Sequence, residues 1–416
     1  MRVRSEIGTN WSGNLSYRAQ KLVAPTTLDE LAAALGSASS VRALGTRHCF
    51  NDIADTSGVL ISTRSLPSVI EIDGAARRVR VSAGTRYGDL AEQLERRGWA
   101  LANLASLPHI SVGGAVATGT HGSGNTVRSL AGAVAALELM TPDGELLALG
   151  RGDRDFAGAV VNLGALGVVT TLDLEIEPSF TVAQTVYEGL DWDAVLADLS
   201  AVTGLGYSTS LFTTWRSRDR VDQLWLKQRA PFAAPAEVLG AAPADAPRHP
   251  LPGISAENCT QQLGVPGAWL DRLPHFKLGF TPSNGDELQS EYLVPRRHAA
   301  AAINALRELS ASIAPLVQVT EVRTIAADAL WLSMASETDA VALHFTWLPD
   351  QAAVEAFLPT LERALEPFEP RPHWGKLFAS VDGGERYPRW EDFVRLRERL
   401  DPRGVLRNPF LERLGL

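Results

Sequence analysis

The sequence predicts an α+β protein of two domains. Three observations carry that reading. Strands and helices alternate on a short period as far as about residue 178, longer strands and helices take over from about Phe180, and the nearly uncharged glycine-rich stretch Asn103–Gly124 lies within the first block. A chain of 416 residues can hold two or three domains with a substantial core, and 45% hydrophobic against 21% charged residues is a soluble, globular balance.

After Pro25, Thr27-Leu-Asp-Glu30 has the pattern of a capping box and starts a helix through about Leu35. A strand over 41–45 runs into Thr46–Asn51. Short strands are expected at Val59–Thr63, Val69–Asp73 and Arg78–Ala83, then a helix at about Tyr87–Arg97. Pro142-Asp143-Gly144 between two apolar runs predicts a hairpin. Val168–Ile176 alternates at period two and stops at Pro178, as the last strand of the first domain. Six prolines between positions 231 and 252 make Ala230–Pro252 an exposed excursion rather than regular structure. Strands are expected again at Phe276–Thr281, Gln289–Pro295, Val317–Thr324 and Ala340–Trp347, with a helix at about Arg297–Ile313, giving one antiparallel sheet backed by helices. A helix at Trp390–Leu400 begins a tail too short to fold alone. The expected division is 1–178, 179–375, and a C-terminal segment 376–416 that returns to the first domain.

Composition narrows the partners. A formal charge of −9 with no basic stripe argues against a nucleic-acid surface and for a small ligand. No run of about 18 apolar residues is present to cross a bilayer, and MRVRSEIGTNWSGN lacks the apolar core of a secretory signal. A cytoplasmic monomer without a membrane partner is expected. Cys49 and Cys259 are not a disulfide framework and are expected to be reduced.

The glycine-rich stretch interleaves Gly113, Gly114, Gly119, Gly122 and Gly124 with Ser106, Ser111, Thr118, Thr120 and Ser123. Glycines let a backbone approach a ligand closely, and free N–H groups with hydroxyls can hold a pyrophosphate. A cradle for a phosphorylated cofactor is one reading; a glycine-rich loop with no ligand is the other. Leu163–Gly167 suggests a second close approach. There is no GxxxxGK[ST], and no GxGxxG between strand and helix, so neither a Walker-type NTPase nor a Rossmann dehydrogenase fits.

Gly45-Thr-Arg-His-Cys-Phe50, followed by Leu104–Ser123, resembles the flavin-binding half of the vanillyl-alcohol oxidase (PCMH-type) family. Glu321-Val-Arg323, His344-Phe-Thr346 and Pro372-His-Trp-Gly-Lys376 resemble its alditol oxidase and xylitol oxidase branch. The similarity runs over nearly the whole chain, including Asn10–Asn14 and the tail to Asn408. It implies a two-domain PCMH-type FAD-binding fold whose antiparallel cap covers the substrate. It also implies FAD joined covalently to His48, with Cys49 where the family has serine, and with Ala43, Leu44, Gly45, Thr46 and Arg47 alongside. Ser111, Gly114, Thr118, Gly119, Thr120, His121, Gly122 and Ser123 match positions that contact FAD. Val169 falls near its adenine or ribose, His373 at a flavin contact, and Ser106 where substrate and flavin meet. His109 and His121 tempt a metal reading, but no HExxH or Cys/His cluster supports one, and no metal is expected.

The substrate side can also be read physically. Alternation puts Glu321 and Arg323 on one strand face, and His344 and Thr346 on one face of the next. A carboxylate, a guanidinium and a hydroxyl suit a neutral polyhydroxylated molecule; a cross-strand salt bridge on a solvated face is the alternative. Lys376 matches a lysine near the flavin, where it either accepts the alcohol proton or stabilises developing charge. The resemblance implies oxidation of the terminal primary alcohol of an alditol such as xylitol or sorbitol to the aldose, with O2 reduced to H2O2. A sugar-lactone oxidase or dehydrogenase, a polyol dehydrogenase using another acceptor, and an FAD-binding protein without turnover are the alternatives.

Overall fold

Hydrogen-bonded strand partners divide the chain into two bodies of sheet. The computed structural model describes residues 2–4, 7–280 and 287–416. The first body begins with a four-stranded sheet in the order Arg2–Arg4, Lys21–Ala24, Val59–Ser62, Val41–Leu44, in which the last three run parallel. The helix Leu28–Ser37 makes the crossover and buries Leu31, Ala34 and Leu35, the i, i+3, i+4 spacing of one helix face. Thr27 caps it by accepting from the Glu30 N–H. Glu30 reaches back one residue further than a capping box requires, to the Thr26 N–H at 2.8 Å.

A five-stranded antiparallel sheet follows in the order Ile70–Asp73, Arg78–Ser82, Val168–Glu175, Val134–Met140, Leu146–Gly150. Its central strand alternates buried and half-buried positions along its length, as the period-two pattern requires. The hairpin falls at 141–145, where Gly144 takes φ +83.

The second body is one eight-stranded antiparallel sheet. Its order is Gly267–Ala268, Thr181–Asp191, Arg220–Arg229, Ser208–Thr213, Val317–Ile325, Ala340–Trp347, Leu288–Pro295, Arg371–Pro372. One face packs on helices: Val322, Leu343, Phe345 and Trp347 share a core with Trp192, Ile303, Leu306, Leu358 and Leu361. The alternate residues therefore point the other way, toward the first body.

Several expectations change. The strand expected over Phe276–Thr281 is absent from its described part: Phe276 makes one isolated bridge to Cys259, and residues 277–280 turn; Thr281 lies outside the described residues. The helix expected at 297–313 is broken at Leu309 into Ala299–Glu308 and Ser310–Ile313. The proline-rich excursion is largely exposed, but its end returns as a wall: His249, Pro250 and Leu251 line the principal cavity. The tail docks by polar contacts. Asn408 Nδ2 donates to the carbonyls of Asp52, Ile53 and Asp55, and the buried Arg42 donates to the Leu406 carbonyl at 3.0 Å. Among the described residues no helix is long and apolar enough to cross a membrane.

Candidate active site

A cavity of about 480 Å³ lies between the two bodies. On its first side, the strand Val41–Leu44 delivers the loop Gly45–Phe50. Thr46 Oγ1 accepts from the Ser111 N–H at 3.1 Å, which joins this loop to the start of the short helix Val112–Ala117. Gly45 and Gly114 face one another across Ser111. A Cβ on Gly45 would stand 2.7 Å from Ser111 Oγ, and one on Gly114 3.0 Å from the same atom. The two backbone segments and the Ser111 hydroxyl close on one another there, and a side chain at either glycine would displace that hydroxyl.

Ala43, Leu44, Gly45, Thr46, Arg47, His48, Cys49, Ser106, Ser111, Gly114, Thr118, Thr120, His121, Val169 and His373 all line the cavity, as do Leu163 and Gly164. Gly119, Gly122 and Ser123 are not among its lining residues. A Cβ on Gly122 would fall 2.1 Å from Asn103 Oδ1, so that glycine is required by chain packing. Ser123 Oγ donates to the Thr209 carbonyl and accepts from the Thr324 N–H, tying the stretch to the second sheet. The glycine-rich stretch therefore does two jobs: residues between Ala105 and His121 line the cavity, and its end, Gly122–Gly124, packs.

His48 stacks on Trp11 with ring centroids 5.5 Å apart, and its Nδ1 lies 3.1 Å from Thr46 Oγ1. Burial, helped by His109, pulls its pKa down to about 4, so the ring is neutral near pH 7. Arg47, at φ 66, turns its guanidinium to the carbonyls of Ile7 and Thr9 and holds the N-terminal segment. His373 accepts the Gly375 N–H on Nδ1 at 3.1 Å, which leaves its Nε2 as the protonated nitrogen. Burial holds His373 well below the usual histidine range, with Lys376 adding to the effect.

The second side is a buried polar face of the large sheet. Register places Phe212, Glu321, His344 and Glu291 in one row across four strands, with Thr346 and Gln289 paired in the row beside it. Glu291 is the hub. Its Oε1 accepts from Arg323 Nη2 at 2.6 Å and lies 3.3 Å from His121 Nε2, and its Oε2 accepts from Lys376 Nζ at 2.7 Å. Glu321 Oε1 is bonded to His275 Nε2 at 2.7 Å, while its Oε2 has only looser neighbours, Arg323 Nε at 3.5 Å and His344 Nδ1 at 3.6 Å. Ser106 Oγ completes the rim, 3.4 Å from Arg323 Nη1.

Burial alone would raise both carboxyls, but their neighbours outweigh it: the cations Lys376 and Arg323 hold Glu291 well below the usual range, and the Arg323 charge, with the His275 hydrogen bond, does so for Glu321. Burial lowers Lys376 from its ordinary value and Glu291 opposes that shift. His344 is pulled down to about 4 by burial and then by Lys376, and neither of its ring nitrogens has a hydrogen-bond partner. A neutral imidazole with both nitrogens free, a half-satisfied carboxylate and a guanidinium with an unpaired Nε are groups waiting for hydroxyls. Two carboxylates against two cations leave no net charge to select an ionic ligand.

Glu321, Arg323, Thr346, Ser106 and Lys376 thus come together as the sequence suggested, buried rather than on a solvated face. Glu291, His275 and Lys227 did not emerge from sequence reasoning. For Glu291 a signal existed: it is the one charged residue of the strand Leu288–Pro295, two residues from Gln289 and so on its face. His275 offers none, because it sits in an irregular segment. Among the described residues no three His, Cys, Asp or Glu side chains are grouped to hold a metal.

Comparison with known proteins agrees with this geometry. Residues 19–150 match the family model of an FAD binding domain, and residues 284–414 that of D-arabinono-1,4-lactone oxidase. The cavity fits such a cofactor, since one wall is built of the small or hydroxyl-bearing residues Gly45, Thr46, Ser111, Gly114, Thr118 and Thr120, a lining suited to a pyrophosphate. Fold and site define an FAD-dependent oxidoreductase of the PCMH-type fold. The chain is 48% identical to the alditol oxidase of a Streptomyces species over 98% of both chains. It is 30% identical to the L-gulono-1,4-lactone dehydrogenase of Mycobacterium tuberculosis over 99% of both. A cholesterol oxidase from B. sterolicum shares the fold with a TM-score of 0.79 at 15% identity, covering 99% of this chain and 97% of that one. The chain belongs to the alditol oxidase branch of the vanillyl-alcohol oxidase family of flavoproteins.

Proposed function

We propose that this protein oxidises the terminal primary alcohol of an alditol such as xylitol or sorbitol to the aldose. The observation that carries the reading is the buried, charge-balanced row of Glu321, His344 and Glu291 with Arg323 and Lys376, whose open hydrogen-bonding positions suit a chain of neutral hydroxyls. The chemistry FAD supplies when bound is acceptance of hydride from the carbinol carbon and its onward delivery to O2, giving hydrogen peroxide.

Glu321 accepts from substrate hydroxyls through Oε2, and Arg323, Thr346, Ser106 and His344 complete the set. Lys376 and Arg323, both bonded to Glu291, present N–H donors that stabilise negative charge on the alcohol oxygen as its proton leaves. We place the covalent tether at His48, whose neutral imidazole is the form able to bond to carbon. Residues 1–178 with the tail 376–416 form the FAD-binding unit of this proposal, and 179–375 its cap; the contacts of Arg42 and Asn408 with both parts of the former support that division.

A lactone substrate is the second reading, favoured by the match of residues 284–414 to the lactone oxidase family. Peroxide release measured side by side with xylitol, sorbitol, gulonolactone and arabinonolactone decides. Turnover of the alditols supports the proposal, and turnover of the lactones alone overturns it.

A further inference from the structure

From Glu321 a chain of buried contacts leads through His275, which also lines the cavity, to Lys227, and the reaction as described does not use it. Lys227, on the strand Arg220–Arg229, is 1% exposed. Its Nζ lies 2.5 Å from the Leu273 carbonyl, 3.2 Å from the Pro274 carbonyl and 3.1 Å from His275 Nδ1. The two carbonyls can only accept. The ionised Glu321 takes the N–H of His275 Nε2, so Nδ1 accepts as well, and Lys227 donates to all three as an ammonium, although burial pulls its pKa down to about 7.

That assignment fixes the histidine. If His275 Nδ1 accepts from Lys227, the ring proton of the neutral imidazole sits on Nε2, which points at Glu321 Oε1 at 2.7 Å. Burial, and then Lys227, pulls His275 down to about 4, so the ring is neutral, and its tautomer is fixed from both ends: the ionised Glu321 Oε1 can only accept from Nε2, and Lys227 donates to Nδ1. The ring has no freedom to turn: Phe212 and Trp225 meet it edge-on at centroid distances of 5.7 and 5.2 Å. Its backbone N–H is also bonded to the Ser106 carbonyl at 3.2 Å, so one residue braces two of the groups assigned to the substrate.

We propose that Lys227 and His275 are positioning residues for substrate recognition: Lys227 holds the His275 ring in place by donating to Nδ1, and His275 spends its single N–H on Glu321 Oε1, so that Oε2 alone is turned to the cavity as the hydroxyl acceptor. The inference rests on the reading of Glu321 as a substrate contact. The pair touches no reacting atom. Its loss weakens binding of the polyol in ground and transition states alike, which appears in KM far more than in kcat. Without the Lys227 donor, His275 Nδ1 is left a buried acceptor with no partner and the ring loses a contact that holds it, so its N–H no longer keeps Glu321 Oε1 turned away from the cavity.

The test is steady-state oxidation of xylitol by the FAD-loaded full chain in Glu321→Gln, Lys227→Met, His275→Phe and His275→Gln, and in Lys227→Met combined with Glu321→Gln. Lys227→Met keeps the aliphatic stem, and His275→Gln keeps an N–H to offer Glu321. Expected are an increase in KM of about tenfold in Lys227→Met and His275→Phe, with a much smaller change in kcat, and recovery in His275→Gln. In the Glu321→Gln background Lys227→Met should add little, because its effect runs through that carboxylate. If Glu321→Gln raises KM while Lys227→Met leaves it alone, or if the two effects simply multiply, the positioning role is overturned and the substrate contact stands. If Glu321→Gln itself leaves KM unchanged, the reading of Glu321 fails and the proposal with it. Should Lys227→Met not fold, the His275→Phe and His275→Gln comparison carries the same decision: equal KM values in the two overturn the role.

Discussion

Glu291 Oε2 lies 2.7 Å from Lys376 Nζ, with the Glu291 side chain 1% and that of Lys376 12% exposed. The other carboxylate oxygen is bonded to Arg323, so one acid anchors both cations that face the cavity. Burial works to neutralise Lys376, and Glu291 works to keep it an ammonium. A lysine intended as the base would be better served without such a partner. The ion pair therefore favours Lys376 as a stabiliser of charge on the alcohol oxygen.

Glu291→Gln tests this through pH. An ammonium is present below the lysine pKa and lost above it, so a reaction that needs it slows as pH rises through that value. Removing the carboxylate that opposes the burial shift lowers Lys376 further, and the alkaline fall in kcat/KM should move to lower pH. A rate that instead rises through the same transition would make Lys376 the base. Removing one partner of a buried pair also costs about 3–5 kcal/mol of stability, so the unfolding midpoint should fall in parallel.

Lys376→Ala should leave FAD bound and slow its reduction by xylitol by about 10²–10³-fold, the size of effect expected when one donor to a developing oxyanion is removed. Anaerobic stopped-flow bleaching of the flavin band measures it. Reduction at the parent rate would dismiss Lys376 from the chemistry.

His48→Ala should yield protein whose yellow colour passes to the supernatant on acid precipitation, where the parent protein keeps it in the pellet. Thr46 touches both His48 and the Ser111 N–H, so Thr46→Val should weaken retention of FAD as well as disturb the ring. Release of colour from the parent protein under the same treatment would remove the tether and leave the cofactor.

Gly45 and Gly122 look alike in the sequence and should fail differently. A Cβ on Gly45 meets the hydroxyl of Ser111, a side chain at the cavity wall. Gly45→Ala should fold and bind less flavin, read as a lower ratio of visible to ultraviolet absorbance. A Cβ on Gly122 meets Asn103 Oδ1 at 2.1 Å and the Leu104 carbonyl at 2.4 Å, the latter immovable backbone. Gly122→Ala should cost about 1–3 kcal/mol or more and appear as poor soluble yield.

Those two glycines mark how far the sequence could be read. Period-two runs such as Val168–Glu175 and the Pro142-Asp143-Gly144 turn are local signals, and the structure keeps them. Glu321 with Arg323, and His344 with Thr346, follow from alternation within single strands. Register is not local. Nothing within the segment around Glu291 says that His344 will stand beside it, or that Lys376 will come from a loop 85 residues away to close the pair. The expected strand at Phe276 failed for a related reason. Its apolar residues pack on the cavity mouth and under Cys259 instead of entering a ladder, and His275 beside them is spent on Glu321.

In the tail, polar contacts add to the burial of Phe393, Leu396, Phe410 and Leu411 in the core of the first body. Asn408 is 4% exposed. Its Nδ2 donates to the carbonyls of Asp52, Ile53 and Asp55, and its Oδ1 accepts the Leu411 N–H to cap the last helix. Asn408→Ala removes the cap, worth about 1 kcal/mol, and leaves buried carbonyls without their donor at a further cost of about 1–3 kcal/mol. The segment it releases is Asp52–Asp55, directly after the loop that carries His48 and Cys49. The expected result is therefore a lower urea midpoint together with weaker retention of FAD, while KM for xylitol measured on the flavin-loaded fraction stays near the parent value. Asn408→Asp keeps the helix cap but turns an acceptor toward three carbonyls, so it should be at least as damaging as alanine. If aspartate restores the midpoint, the cap alone matters and the link from the tail to the cofactor loop is not the one described.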